Sequence, residues 1–432
     1  MSRSPPCSRV AATVCVFVSL VALFVVPWSL RQNMSREASE TSSPGTPIAA
    51  QAVQSKPLSR ADQAVVRVAV TPSPQQRIEL SIDGQYHFRP VGNDKVLSRG
   101  ERLSATTVTA TATGLRVGKT DYPVTRLEII PRQSPSVWVN GHEYRGSMRL
   151  FRRPGGAILA VNVLSIAEYL ASVVDSEMPA AFPEAARKAQ AIIARTYVLD
   201  VIRNDEGDPL FDVFASTRSQ KYLGYQYRDG ARQLAGESET SRKIVRDTTG
   251  IVCMFQGRLF RTYYSAVCGG RTTQGSAVFT DAVTALQSVP CDFCRDANLY
   301  RWQTELPTVT ASKLLKSFFQ TDGKPFDRLK SITLASGHPD RGDEVPEFEV
   351  RDSQRSYRVS AAILRRQFPA GTLNSPFFSI AEKADKLQFS GRGHGHAVGL
   401  CQWGARGQGL LGKSAFEIVR YYYPGAKLVQ LQ

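Results

Sequence analysis

Apolar and polar positions alternate in short runs from Val65 onward. Val66-Arg-Val-Ala-Val70, Ile78-Glu-Leu-Ser-Ile82, Val108-Thr-Ala110 and Leu127-Glu-Ile-Ile130 are each bounded by Gly, Pro or Asp. A period of two predicts strands, so residues 63–163 are expected to be β-rich. The period then changes to that of a helix. Ser165-x-x-Glu168 is a capping box, and it opens a helix with Ile166, Leu170, Val173 and Val174 on one face. That helix stops before Pro179. Pro183 and Glu184 suit the first turn of a second helix, which runs to about Val201 with Ala185, Ala189, Ile192 and Ile193 at core spacing. Residues 176–182 form a tight corner between the two. Beyond them the pattern predicts strands and loops over 243–305, a short helix near 310–319, a hairpin over 328–359 and a helix near 360–367. A glycine-rich, then helical stretch covers 391–427. The expected fold class is α+β: a β-rich first part, a helix-corner-helix region and a mixed β/α last part.

The N-terminus follows a different pattern. Arg3 and Arg9 precede an apolar run from Val10 to Trp28, and Arg31 follows it. At helical rise this run would span roughly 28 Å, close to a bilayer core. It lacks the short apolar region and small-residue site of a cleaved signal, so residues 1–31 are read as a membrane anchor, with secretion signal as the alternative. The positive flank puts the body outside the cytoplasm, which argues against an intracellular role on DNA. Residues 32–62, rich in Ser, Thr, Pro, Ala and Gln, read as a flexible linker.

Charge adds little to this picture. The chain has 432 residues, with 54 Lys+Arg against 38 Asp+Glu and a formal charge of +16. A basic surface favours polyanions such as anionic lipid or an acidic wall polymer, or simply keeps the chain soluble.

Three groups of residues carry candidate chemistry. Glu177 lies at a helix C-terminus beside Pro179 and Phe182. The negative end of the helix dipole and apolar neighbours both favour its protonated form, which is what a departing glycosidic oxygen needs. A solvated corner glutamate is the alternative. Arg195, on the following helix, could point back to the corner or sit on the helix surface. The second group is Cys291-Asp-Phe-Cys294 with Cys268. Thiolates at this spacing can share a tetrahedral Zn²⁺, completed by Cys401 or by one of His394 and His396; a disulfide or reduced structural thiols are the alternatives. Five cysteines in the body exclude complete internal pairing. The third group is Gly391-Arg-Gly-His-Gly-His396, where the glycines allow close backbone approach and the histidines at i and i+2 share a face. Gly407-Gln-Gly-Leu-Leu-Gly-Lys-Ser414 fits a P-loop pattern, but no buried strand precedes it and Ser414-x-x-Glu417 already reads as a helix cap. No nucleotide or nucleic-acid partner is expected.

Taken together, Glu168-Tyr-Leu, Ser176-Glu-Met-Pro, Phe182-Pro-Glu-Ala-Ala, Ala194-Arg-Thr-Tyr197, Gln220-Lys-Tyr-Leu-Gly224, Tyr264-Ser-Ala-Val-Cys-Gly-Gly-Arg-Thr272, the glycine-histidine block, Gln402-Trp-Gly-Ala405 and Tyr422-Tyr-Pro-Gly425 resemble, in this order, the stage II sporulation protein D (SpoIID) family, also called the amidase-enhancer LytB family. The likeness covers roughly residues 140–427 and frames 63–427 as one SpoIID-like domain, with 164–427 as its core. It implies a peptidoglycan lytic transglycosylase that cuts between N-acetylmuramic acid and N-acetylglucosamine, prefers peptide-stripped strands and works with a cell-wall amidase. Glu177 would be the catalytic acid and Arg195 its companion. Gln220, Tyr222, Arg392, His394, His396, Gln402 and Tyr422 would bind substrate, and Cys268, Cys291, Cys294 and Cys401 would hold a structural zinc. A non-enzymatic, glycan-binding activator of an amidase is the competing expectation. Ser265 stands where members often have His, and Ala397 departs from the usual Gly-His-Gly-Val-Gly.

Overall fold

The structure is a computed structural model that describes residues 58–431, apart from Pro72 and 205–207. The expected anchor and most of the expected linker lie outside the described residues. Among the described residues no helix is long and apolar enough to cross a membrane.

The alternating runs form two large sheets. One has seven strands in the spatial order Val213–Phe214, Val65–Ala69, Ile158–Ser165, Ser147–Arg152, Arg126–Pro131, Tyr86–Pro90 and Ser98–Gly100. The other has eight, running Arg232–Ala235, Gln226–Asp229, His142–Tyr144, Val137–Val139, Arg77–Ile82, Leu103–Ala110, Leu115–Val117 and Thr120–Tyr122. Alternate residues point inward, so Val66, Val68, Ile78, Leu80, Ile82, Leu127 and Ile129 share one core. Burying such side chains supplies about 1.5–3 kcal/mol each, before the entropy of ordering them is subtracted.

Eight α-helices complete the described chain. They are α1 (Arg60–Gln63), α2 (Ile166–Glu177), α3 (Glu184–Asn204), α4 (Glu239–Asp247), α5 (Thr308–Thr321), α6 (Ala361–Gln367), α7 (Gln402–Leu410) and α8 (Ala415–Tyr422). The predicted capping boxes at Ser165 and Ser414 are both formed. Helix α3 is buried almost all round. Ala191, Ala194 and Val198 face the sheet core, while Ala186, Ala189, Ile192 and Ile193 face a second core made with α7, α8 and the cysteines. Its alanines let neighbouring elements pack close, which is why no single apolar stripe dominates it.

Residues 301–392 form an excursion with its own core of Trp302, Leu315, Phe319, Phe348, Phe378 and Phe389. Its two ends pair antiparallel, Arg301–Pro307 against Lys386–Arg392. The expected hairpin over 328–359 is instead a three-stranded meander, Ser331–Ser336, Glu347–Arg351 and Ser356–Ser360. The extra turn is made by Asp352, whose carboxylate accepts from the backbone N–H groups of Gln354 and Arg355. Two further boundaries differ. Residues 243–247, expected among strands and loops, end α4. Residues 58–62, expected in the linker, are folded: α1 begins at Arg60 and Asp62 is fully buried. The partner that holds Asp62 is distant in sequence, so composition gave no sign of it.

Candidate active site

Glu177 is the last residue of α2, and the chain turns at once through Pro179 to Phe182, whose N–H donates to the Pro179 carbonyl at 3.0 Å. The corner is held from outside by Trp403, which meets Phe182 edge to face with ring centroids 5.5 Å apart. This leaves the Glu177 carboxyl half-buried and aimed into a cleft of about 550 Å³. Its Oε1 accepts from the Lys221 backbone N–H at 2.7 Å and its Oε2 from Gln402 Nε2 at 3.5 Å. Burial pushes the carboxyl above the usual carboxylate range, against the opposing pull of the Lys221 N–H and the Gln402 amide. The Tyr264 hydroxyl approaches both the same carboxyl and the Gln220 side chain without a bond of good geometry.

The rest of the cleft comes from six places in the chain. Helix α3 supplies Tyr197, the segment 217–219 supplies Arg218, and 263–266 supplies Tyr263, Tyr264 and Ser265. Phe279 and Arg365 of α6 close one side, and His394 to His396 close another. Tyr263 and Phe279 stack at 3.8 Å, and the His396 ring stands edge-on to Phe279 at 5.0 Å, giving an aromatic wall. His396 Nδ1 accepts from the Val398 N–H at 3.0 Å, so its proton is assigned to Nε2. Burial, and then the Arg365 charge, push His396 down to about 4, so it is neutral at physiological pH. The Tyr264 hydroxyl, Ser265 Oγ and His394 Nδ1 are buried without hydrogen-bond partners. Unsatisfied polar atoms gathered in one cleft are what a polar ligand would satisfy.

Of the residues singled out by sequence, Glu177, His394, His396 and Gln402 line this cleft. Gln220 lies just behind it, accepting from the Tyr169 hydroxyl at 3.2 Å and fixing the segment whose next N–H reaches Glu177. The others are elsewhere. Arg195 does not point back to the corner: it is fully buried, and its Nε donates to Asp62 at 2.6 Å, with Nη1 and Nη2 on the carbonyls of Ile251 and Val245. A charge inside that core needs a carboxylate, and Asp62 supplies it. Tyr222 is a core residue, its hydroxyl donating to Asn162 at 2.8 Å. Arg392 is buried as a clamp on the carbonyls of Cys268, Arg271 and Pro339. Tyr422 sits against the cysteines, with its hydroxyl 3.1 Å from Cys291 Sγ. Arg218, Tyr263, Phe279 and Arg365 carried no local signal, and Tyr197 ended a recognisable block without being singled out, because only the tertiary fold brings them to Glu177.

The four cysteines named from sequence converge. Cys268, Cys291, Cys294 and Cys401 are all buried, with their sulfurs within 4.8 Å of one another and no disulfide among them. Cys268 and Cys294 sulfurs are 3.7 Å apart, near the edge of about 3.8 Å that a tetrahedral ion with Zn–S bonds of ~2.3 Å requires. Backbone N–H groups of Cys268 and Gly404 point at Cys401 Sγ, each at 3.3 Å. Neighbouring thiols pull Cys294 far below the ordinary thiol range, while burial pushes Cys268 and Cys401 up. The donor set and its N–H support fit a thiolate-bound metal. Cys253 is the odd one: it is buried apart from the cluster, and its thiol is pushed up to about 12. The cluster adjoins the cleft through the chain, since Tyr264–Ser265 pairs with Leu400–Cys401 and Gln402 follows directly.

Residues 155–255 match the stage II sporulation protein D family. Residues 281–399 match a domain family of unknown function, DUF8618. The chain is 26% identical over 283 residues to the stage II sporulation protein D of Bacillus subtilis, covering 62% of this chain and 76% of that relative. It is 24% identical over 298 residues to the Bacillus subtilis amidase enhancer, of which it spans 40%. A protein of Brachyspira hyodysenteriae without a functional name is 27% identical over 369 residues, 85% of this chain and 94% of that relative. The cleft is thus shared: Glu177 comes from the first matched segment, and Arg365, His394 and His396 from the second.

Proposed function

We propose that this protein is a peptidoglycan lytic transglycosylase, working in the cell envelope on the outer side of the cytoplasmic membrane and tethered by its N-terminal segment. The observation that carries the reading is Glu177, the one carboxylate among the residues lining the cleft, whose proton burial helps to retain by raising its pKa above the usual carboxylate range. The names of the relatives, a sporulation protein and an amidase enhancer, support a role in cell-wall remodelling beside an amidase. Hydrolases of glycans generally use two carboxylates, one of them to activate water or to form a covalent intermediate. A single one suits a reaction that consumes no water. Glu177 gives its proton to the oxygen between N-acetylmuramic acid and N-acetylglucosamine as the bond from muramic C1 breaks. The resulting carboxylate then takes the proton of the muramic C6 hydroxyl, whose oxygen closes on C1 to leave a 1,6-anhydro end. The Lys221 N–H and Gln402 amide hold the carboxyl in place through both transfers.

The four cysteines would hold zinc. Four thiolates fill a tetrahedral site, so the ion would have no open position for substrate and would serve structure. It would tie the Tyr264–Cys268 segment to α7, and so fix Tyr264 and Gln402 beside Glu177.

The test is digestion of peptide-free glycan strands by the protein and by Glu177→Gln. Anhydromuramic ends from the first alone support the reading. No such ends from either, with strands still bound and an amidase stimulated, would establish the activator role that the amidase-enhancer relative suggests.

A further inference from the structure

Of the two arginines that line the cleft, Arg218 lies over the Phe214 ring, 3.6 Å from its centroid, while Arg365 comes from the 301–392 excursion rather than from the segment that carries Glu177. Its Nε donates to the Leu373 carbonyl at 3.1 Å. Among the described residues no carboxylate pairs with it, and its two Nη groups have no acceptor. The loop that fixes it is pinned to the histidine block: the Gly395 N–H donates to the Asn374 carbonyl at 3.0 Å, and Ser375 Oγ donates to the Arg392 carbonyl at 2.6 Å. The guanidinium is therefore set in place, half-buried, in a side chain that lines the cleft. Beside it His394 Nδ1 and Ser265 Oγ, the latter in a side chain only 6% exposed, are buried without partners. Its charge is felt locally, since it helps push both His394 and His396 down, after burial.

A fixed, half-desolvated guanidinium with a free fork selects a planar anion, and a carboxylate fits it with two parallel hydrogen bonds. We infer that Arg365 is the specificity residue of the cleft and pairs with the free lactyl carboxylate of the muramic sugar while Glu177 faces the glycosidic oxygen. The inference rests on the glycan reading given above. When that carboxylate carries a peptide it is an amide, with no charge and one oxygen, and the pair is lost. Preference for peptide-free strands would then originate in the excursion and not in the catalytic corner.

Binding by the full chain carrying Glu177→Gln tests this without turnover. The probes are peptide-free glycan strands with free lactyl carboxylates and the same strands as methyl esters, so no peptide carboxylate is present. The free acid should bind about tenfold tighter, and adding Arg365→Gln should bring the ratio to about one. Arg365→Lys, which keeps charge but loses the fork, should leave about threefold. Equal binding of the two strands before Arg365 is changed, or a ratio that survives Arg365→Gln, overturns the inference. Should Arg365→Gln not fold, the Lys variant decides, because an undiminished ratio there overturns it too. Wild-type protein that binds free-acid strands with this preference yet never cuts them would refute the transglycosylase reading and leave the role of Arg365 standing.

Discussion

Asp62 and Arg195 lie 133 residues apart in sequence and 2.6 Å apart in space, both with fully buried side chains. Asp62 also accepts from the Gly250 N–H at 2.7 Å and from the Thr249 hydroxyl, so its second oxygen is satisfied as well. The pair fastens the first described residues to α3 and to the turn after α4. Removing one partner leaves the other charge buried alone. Asp62→Ala should therefore cost about 3–5 kcal/mol in denaturant unfolding. Replacing both residues by apolar ones should recover much of that loss. A loss under ~1 kcal/mol for the single variant would show that the pair is not closed in solution.

The raised pKa of Glu177 gives a pH signature in both activity and stability. On the transglycosylase reading the acid must be protonated to act, so strand cutting should fall as pH rises through its folded pKa, which lies above the ordinary carboxylate range. A carboxyl with a raised folded pKa contributes stability that is full below its unfolded pKa and lost as pH rises through the folded one. Glu177→Gln removes the charge that must be buried at high pH. Its melting temperature should exceed that of the parent at pH 8, and the two should converge near pH 4. A constant difference across that range would contradict the buried-acid account.

Metal content separates a thiolate site from reduced core thiols. Purified protein should contain about one zinc per chain, measured by mass spectrometry of the digested sample. Cys294→Ser or Cys401→Ser should lose it together with several kcal/mol of stability. Cys253→Ser should keep the metal. Full stability of Cys294→Ser at unchanged metal content would rule the cluster out as the ligand set.

Gly404 explains how α7 reaches that cluster. A Cβ there would lie 2.1 Å from the Tyr422 hydroxyl and 2.5 Å from Cys291 Sγ. Gly404→Ala should therefore force α7 away from the cysteines, lowering both metal content and melting temperature, whereas Gly412→Ala, with open space around it, should retain the metal. Strain at Gly412 is confined to its positive φ.

The elements with a clear period were legible in the sequence. The strands at 65–69, 77–82, 103–110 and 126–131, the capping box at Ser165 and the corner around Glu177 all follow from spacing and caps, which are local. Convergence of the four cysteines was legible as a set of ligand types at suitable spacing. What was not legible depends on long-range neighbours. Arg195 has the look of an ordinary helix arginine, and only the fold shows that its partner stands in what composition marks as linker. Arg392 and Tyr422 sit in glycine- and tyrosine-rich motifs that suggested substrate contact, but both serve packing around the thiols. The P-loop-like glycines are explained the same way: Gly407 lies within α7, where a Cβ would meet the Phe293 carbonyl at 2.1 Å, so it serves the close approach of two segments.

Arg301 stands directly across from Arg392 in the paired strands that open and close the excursion. Its beginning and end are thus a single hydrogen-bonded step apart, and everything between them can lengthen, shrink or be exchanged without moving the strands on either side. The acid and the thiol cluster stay outside that loop of chain, while Arg365 lies within it. Exchanging that one cassette would therefore change the Arg365 side of the cleft and leave Glu177 and the thiol cluster where they are.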